Sequence, residues 1–133
     1  MEGAINWLAV VVATVGAMVA GFVWYSPPLF VKPWMRELGK TPEQMGNPGK
    51  AMLTAVVMHL VTAICMALIF RAVGVEGVPD AIATATVLWA GFSGATQFAT
   101  DRFQGASVKL SLIVGGHALL TFWVIGAILV LMS

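Results

Sequence analysis

The stretch Ala51–Phe70, AMLTAVVMHLVTAICMALIF, decides what kind of molecule this is. It is twenty residues long, carries no Asp, Glu, Lys or Arg, and holds one histidine, His59, near its middle. A helix needs about 20 consecutive apolar residues to cross the hydrocarbon core of a bilayer. Working outward, three further stretches read the same way. Residues 5–25 and 81–100 are uncharged, and 108–132 carries only Lys109 in its first turn and the titratable His117. Segments of roughly 25, 10 and 9 residues join the four. The pattern predicts an all-α protein: an integral membrane four-helix bundle forming a single domain over 1–133, with an interfacial loop at 26–50.

Composition agrees. Hydrophobic residues make up 59% of the 133 and charged residues 10%, against about a quarter charged in a soluble domain. A soluble enzyme, a disordered regulator and a nucleic-acid binder are all poorly served by such a chain, since a net charge of +1 gives no field to hold phosphates. Cys65 stands alone, so no intramolecular disulfide can form, and a lone Cys in an apolar run reads as a small buried hydrophobe. The start Met1-Glu2-Gly3 has no Lys or Arg, and the apolar run after it is about twice the length of a signal-peptide core; the first span is expected to be retained.

Charge placement sets an expected orientation. Lys32, Arg36, Lys40, Lys50, Arg102 and Lys109 fall in the first and third loops, and only Arg71 falls on the other side. The positive-inside rule puts loops 26–50 and 101–109 in the cytoplasm and both termini outside, in the cell (inner) membrane. So one-sided a bias argues against dual-topology insertion.

The first loop has its own punctuation. Ser26-Pro27-Pro28 ends the first helix. Pro33 and Gly39 bracket a short amphipathic helix, and Thr41-Pro42-Glu43-Gln44 reads as an N-cap and a second helical turn. With Phe30, Val31 and Trp34 this helix is expected in the headgroup region, either as an anchor or as a lipid-sensing element. Trp24, Tyr25, Pro27, Phe30 and Trp34 are the expected interfacial anchors, opposite Trp7 at the outer end. Trp89 and Trp123 fall near mid-span, so their indole N–H groups need partners inside the protein.

Several of these segments resemble a known family. Asn6-Trp7-Leu8-Ala9-Val10, Val23-Trp24-Tyr25-Ser26-Pro27-Pro28-Leu29-Phe30 and Lys32-Pro33-Trp34-Met35 are similar to the domain of unknown function 1761 family, small four-helix membrane proteins that are mostly bacterial. Phe103, Lys109-Leu110, Gly115-Gly116-His117 and Gly126-Ala127-Ile128-Leu129 extend the likeness over nearly the whole chain. Val31 after the Leu-Phe pair and His117 in the fourth span depart from the family pattern. The resemblance implies an architecture and supplies no catalytic residues.

In lipid, small residues mark helix contacts. Ala9, Ala13, Ala17 and Gly21 form one such row, with Gly16 and Ala20 beside it; Gly91, Ala95 and Ala99 form another, and Ser107, Ser111 and Gly115 a third. These rows serve packing within the bundle or a homo-oligomer interface. Ionisable groups inside a membrane are functional candidates by default. His59 and His117 each lie roughly eight residues, about 12 Å, from the cytoplasmic end of their spans. Ser93 falls at a similar depth, with Thr62 and Thr121 one turn from the histidines and Thr96 and Gln97 one turn nearer the cytoplasm. The expected site is one polar layer of His59, His117, Ser93, Thr62, Thr121 and Gln97.

Proton-coupled transport, an incomplete zinc site or plain interhelical hydrogen bonding could each use such a layer. No span holds Asp or Glu, which four-helix multidrug transporters depend on. The leading expectation is a small oligomeric transporter or channel-like protein; the alternative is an accessory protein that binds lipid or a larger membrane partner. Neither a metal nor a cofactor nor an enzymatic activity is expected, and the expected partners are the bilayer and further copies of the chain, not nucleic acid.

Overall fold

The computed structural model describes residues 5–133. The start Met1-Glu2-Gly3 lies outside them, as does residue 4. Among the described residues the chain is helical, with no strand. The elements are α1 (Trp7–Trp24), α2 (Val31–Leu38), α3 (Pro42–Met45), α4 (Gly49–Val73), α5 (Gly77–Trp89), a π-helical turn at Ala90–Gly94, α6 (Ala95–Phe103) and α7 (Val108–Leu131). Three of them, α1, α4 and α7, are long and apolar enough to cross a membrane.

Helix α7 is the central rod. Its N-cap is Ser107, whose hydroxyl accepts from the Leu110 N–H at 3.0 Å. It packs against α1, α4 and α5. Helix α1 runs antiparallel to it. Asn6 caps α1 by accepting from the Ala9 N–H, and its side-chain amide donates to the Met132 carbonyl at 2.9 Å, tying the start of α1 to the end of α7. Helix α4 runs parallel to α7, with His59 beside His117 at one end and Phe70 against Gly126 at the other. The core is fine-grained: Ala9, Ala13, Ala17, Ala63, Ala67, Ala81 and Ala85 are all buried, filled in by Val10, Met66, Phe70 and Ile125. Small residues let backbones approach where lipid offers no hydrophobic driving force.

The third expected span, 81–100, departs from expectation. It is not one regular α-helix, because the π turn interrupts it at Ala90–Gly94, where the Ala95 N–H reaches back to the Ala90 carbonyl. The backbone stays right-handed helical through both joints, with φ/ψ of −61°/−50° at Trp89 and −63°/−47° at Ala95. Residues 77–103 therefore form a continuous rod with one widened turn, packed antiparallel along α7. Trp89 stands at the first joint. Its indole ring folds over Gly94, where an added Cβ would stand 2.9 Å from the ring, and donates to the Gly115 carbonyl at 3.0 Å.

The packing row on this rod is also not the expected one. Gly91, Ala95 and Ala99 are exposed, and a Cβ on Gly91 would meet nothing within 4 Å. The fully buried pair is Ala81 and Ala85, on the turns before the π segment. The extra residue in the π turn rotates everything after it, so a four-residue period does not carry across. On α1 the row Ala9, Ala13, Ala17 faces the core, and Gly21 continues it towards His117. On α7, Ser111 and Gly115 are buried while Ser107 is spent on the cap.

The first loop follows its punctuation. Helix α2 ends at Gly39 with φ +71°, the left-handed region where glycine carries no Cβ penalty. It begins at Val31, two residues before Pro33. Helix α3 opens with a reciprocal capping box, the Gln44 N–H donating to the Thr41 hydroxyl and the Thr41 N–H to the Gln44 side chain at 2.8 Å.

Candidate functional site

Ser26, Pro27 and Pro28 stop α1 and turn the chain so that α2 packs on α7. Two adjacent aromatics at this corner point in different directions. Trp24 turns onto α7: its ring fills the space over Gly116, its indole N–H donates to the Ile113 carbonyl at 3.0 Å, and Phe30 stacks on it at 4.4 Å. Tyr25 turns the other way, against Trp34 at 4.9 Å and His117 at 5.1 Å. Of the expected anchors, Trp24 is thus a half-buried interhelical tie, because Gly116 leaves the opening its ring fills. Pro27 is exposed, and Phe30 and Trp34 are held in the two aromatic pairs.

His117 and His59 meet, their ring centroids 6.4 Å apart and the planes near perpendicular. Three features hold His117. Gly21 gives it room, since a Cβ there would stand 3.1 Å from Nε2. Thr121 lies 3.4 Å from Nε2 while donating its hydroxyl proton to the His117 carbonyl at 2.9 Å. Tyr25 closes the third side. With Tyr25 the pair supplies the polar lining of a groove of ≈ 480 Å³ between α1 and α4. Its apolar walls are Ala17, Met18, Gly21, Phe22, Ala51, Met52 and Ala55, and Trp34 and Pro48 stand at its α2 end. Beyond the histidines, towards Asn6 and Met132, the helices close into the Ala-rich core.

The expected single polar layer is in fact two sites, divided by α7. His59, His117 and Thr121 lie on the α1/α4 side. Gln97 lies on the other, where its side-chain amide donates to Asp101 at 3.0 Å and contacts the Ser111 carbonyl at 3.4 Å. Thr62 belongs to neither. It bonds back to the Met58 carbonyl and lines a crevice with Cys65, Leu88 and Phe122. Ser93 sits in the π turn, and the histidine groove takes none of its lining from that rod. Equal depth placed these residues at one level, but their angular positions around the helices face different neighbours. Cys65 is exposed in that crevice, against the expectation of a buried position.

The second site was not expected. Asp101 accepts from the Ser111 hydroxyl at 2.7 Å as well as from Gln97. The Arg102 guanidinium reaches the Ser111 Oγ at 2.7 Å and the Ala106 and Ser107 carbonyls at 2.8 and 3.1 Å, and lies 4.6 Å over the Phe98 ring. The Ser111 hydroxyl, then the Gln97 amide, hold the Asp101 carboxyl below the ordinary carboxylate value. Above this knot a cavity of ≈ 160 Å³ is walled by Trp89, Gly94, Gln97 and Gly115. Helix α2 joins through the Ser107 hydroxyl, which donates to Glu37. The sequence shows these glycines and tryptophans but not their pairing: only the fold sets Gly94 and Gly115 against Trp89, and Gly116 against Trp24. Trp123 finds its partner in the Thr86 hydroxyl at 2.8 Å.

Fold and site together define an all-α protein with three membrane-length apolar helices and a histidine pair between them. The chain belongs to the family described as protein of unknown function (DUF1761), whose pattern matches residues 8–130. No curated protein and no solved structure matches the chain.

Proposed function

We propose that the protein crosses the cell membrane four times, through α1, α4, residues 81–100 of the rod and α7, and works as a small proton-coupled transporter assembled from several copies. Four passes are supported by the continuous helical backbone of the rod and its antiparallel packing on α7. The sorting of Lys and Arg supports a cytoplasmic position for loops 26–50 and 101–109 and an outer one for both termini.

The observation that carries the transport reading is the histidine pair lining a groove between α1 and α4. Histidine is the side chain whose ordinary titration falls near neutral pH, and an intramembrane pair marks a proton or ligand path. An apolar groove with two imidazoles and a phenol in its lining suits a small amphipathic or protonatable solute entering from the α2 side.

A second reading, an accessory protein docking on a larger membrane partner, is favoured by the open face of the rod, where Val87, Phe92 and Phe98 stand exposed beside Gly91 and Ala95. One experiment separates the two. The protein is reconstituted in vesicles loaded with a pH-sensitive dye and subjected to a proton gradient. Transport requires a proton flux that disappears in the His59→Leu/His117→Leu variant while its assembly state is unchanged. Absence of flux in the unaltered protein overturns it, as does equal flux in the variant. Loss of a co-purifying membrane protein with unchanged flux supports the accessory role.

A further inference from the structure

On the other side of α2 from the histidine groove lies a second groove of ≈ 420 Å³, bounded by Trp24, Phe30, Pro33, Arg36, Lys109, Leu112 and Ile113. Its composition is uneven in a specific way. The floor is aromatic and aliphatic, and rigid: the Trp24 ring is fixed by its bond to the Ile113 carbonyl and by Phe30 at 4.4 Å. The rim carries two cations from different elements, Arg36 from α2 and Lys109 from the first turn of α7, and among the described residues no carboxylate lines the groove. Glu37, the nearest acidic neighbour in sequence, accepts the Ser107 hydroxyl proton and is not among the residues that bound the groove.

The geometry points to a binding site for one acidic phospholipid. Its phosphate sits between Arg36 and Lys109, and the upper part of one acyl chain lies on Trp24, Leu112 and Ile113. Three features favour a lipid over a free anion. The cations are at the mouth of an apolar surface, not at the end of a polar cavity. The groove lies where α2 meets the start of an apolar membrane-length helix, the level at which headgroups stand. Both cations are exposed and free to follow a mobile headgroup. Arginine supplies a planar fork for phosphate oxygens, and lysine a second point charge. This site lies beyond the proposed transport function and shares with it only the membrane setting.

Native mass spectrometry of the detergent-solubilised protein tests it, titrating phosphatidylglycerol and phosphatidylcholine. The expected result is one phosphatidylglycerol retained per chain in preference to phosphatidylcholine. Each basic residue near an anionic lipid surface is worth about five-fold in affinity, so Arg36→Gln/Lys109→Gln should weaken phosphatidylglycerol binding about 25-fold. The Lys32→Gln/Lys40→Gln control, which removes two exposed cations that do not line the groove, should leave it unchanged. Equal loss in that control means general surface attraction and overturns the site. Equal retention of the two lipids also overturns it, as does displacement of phosphatidylglycerol by inorganic phosphate, which would mark a free-anion site. An unchanged thermal transition in each variant establishes that the fold is intact.

Discussion

Glycine does two opposite things in this chain, and the contrast is measurable. At Gly116 an added Cβ would stand 2.8 Å from the Trp24 ring, which cannot easily withdraw because the Ile113 carbonyl and Phe30 hold it. At Gly91 the same methyl would meet nothing within 4 Å. Both positions gain a similar helix propensity on going to alanine, about 1 kcal/mol. The difference between Gly116→Ala and Gly91→Ala therefore isolates the steric term, about 1–3 kcal/mol for overpacking. Thermal unfolding in detergent should rank Gly116→Ala clearly below Gly91→Ala. Equal transitions would mean that Trp24 has another place to go. Gly21 is a milder case: an added Cβ would stand 3.1 Å from His117 Nε2, so the ring would have to give by a few tenths of an ångström.

At the scale of elements, the knot of Asp101, Gln97, Ser111 and Arg102 fastens α6 to α7, and its charge makes the fastening depend on pH. The folded-state pKa of Asp101 is depressed, first by the Ser111 hydroxyl. A depressed acid contributes stability that is present above its unfolded value, about 3.9, and is lost as pH falls through the lower folded value. The prediction is a loss of stability on the acid side that is shallower in Ser111→Ala, with the Asp101 carboxyl titrating at a higher pH in that variant when followed by NMR. A titration that does not move would remove Ser111 as the cause. How much of this could be read from sequence depends on the kind of signal. Pro33, Gly39 and the Thr41-Pro42 pair act on their own local backbone, so α2 and α3 were legible. The π turn was not, because an uncharged apolar run reads as uninterrupted helix, and the fit of Trp89 on Gly94 and Gly115 that accompanies the turn is tertiary. The polar layer was half legible for a related reason. Counting residues along a helix gives depth, which brought His59 and His117 to one level. The angle around the axis decides the neighbour, and the π turn resets that angle before Gln97 is reached.

For the whole molecule the number of membrane crossings turns on the rod 77–103. Three helices qualify by length and apolar composition alone. The rod spans about 40 Å at 1.5 Å per residue if its widened turn is treated as ordinary helix, enough to cross a hydrocarbon core of about 30 Å. With four crossings Glu76 and Gln104, at its two ends, lie on opposite sides; with three they lie on the same side. Replacing Cys65 with serine gives a background for single cysteines at Glu43→Cys, Glu76→Cys, Gln104→Cys and Ser133→Cys, all exposed positions. In intact cells a membrane-impermeant maleimide should label the Glu76 and Ser133 variants and reach the other two only after permeabilisation. Labelling of Glu76 and Gln104 from one side would fold the rod back into the interface and leave Asp101 and Arg102 outside the cytoplasm. Half-labelling of every position from both sides would mean two orientations, which the placement of six of the seven Lys and Arg residues in loops 26–50 and 101–109 opposes. The histidine groove makes the same distinction consequential: only with loop 26–50 in the cytoplasm does its α2 end, at Trp34 and Pro48, open inward.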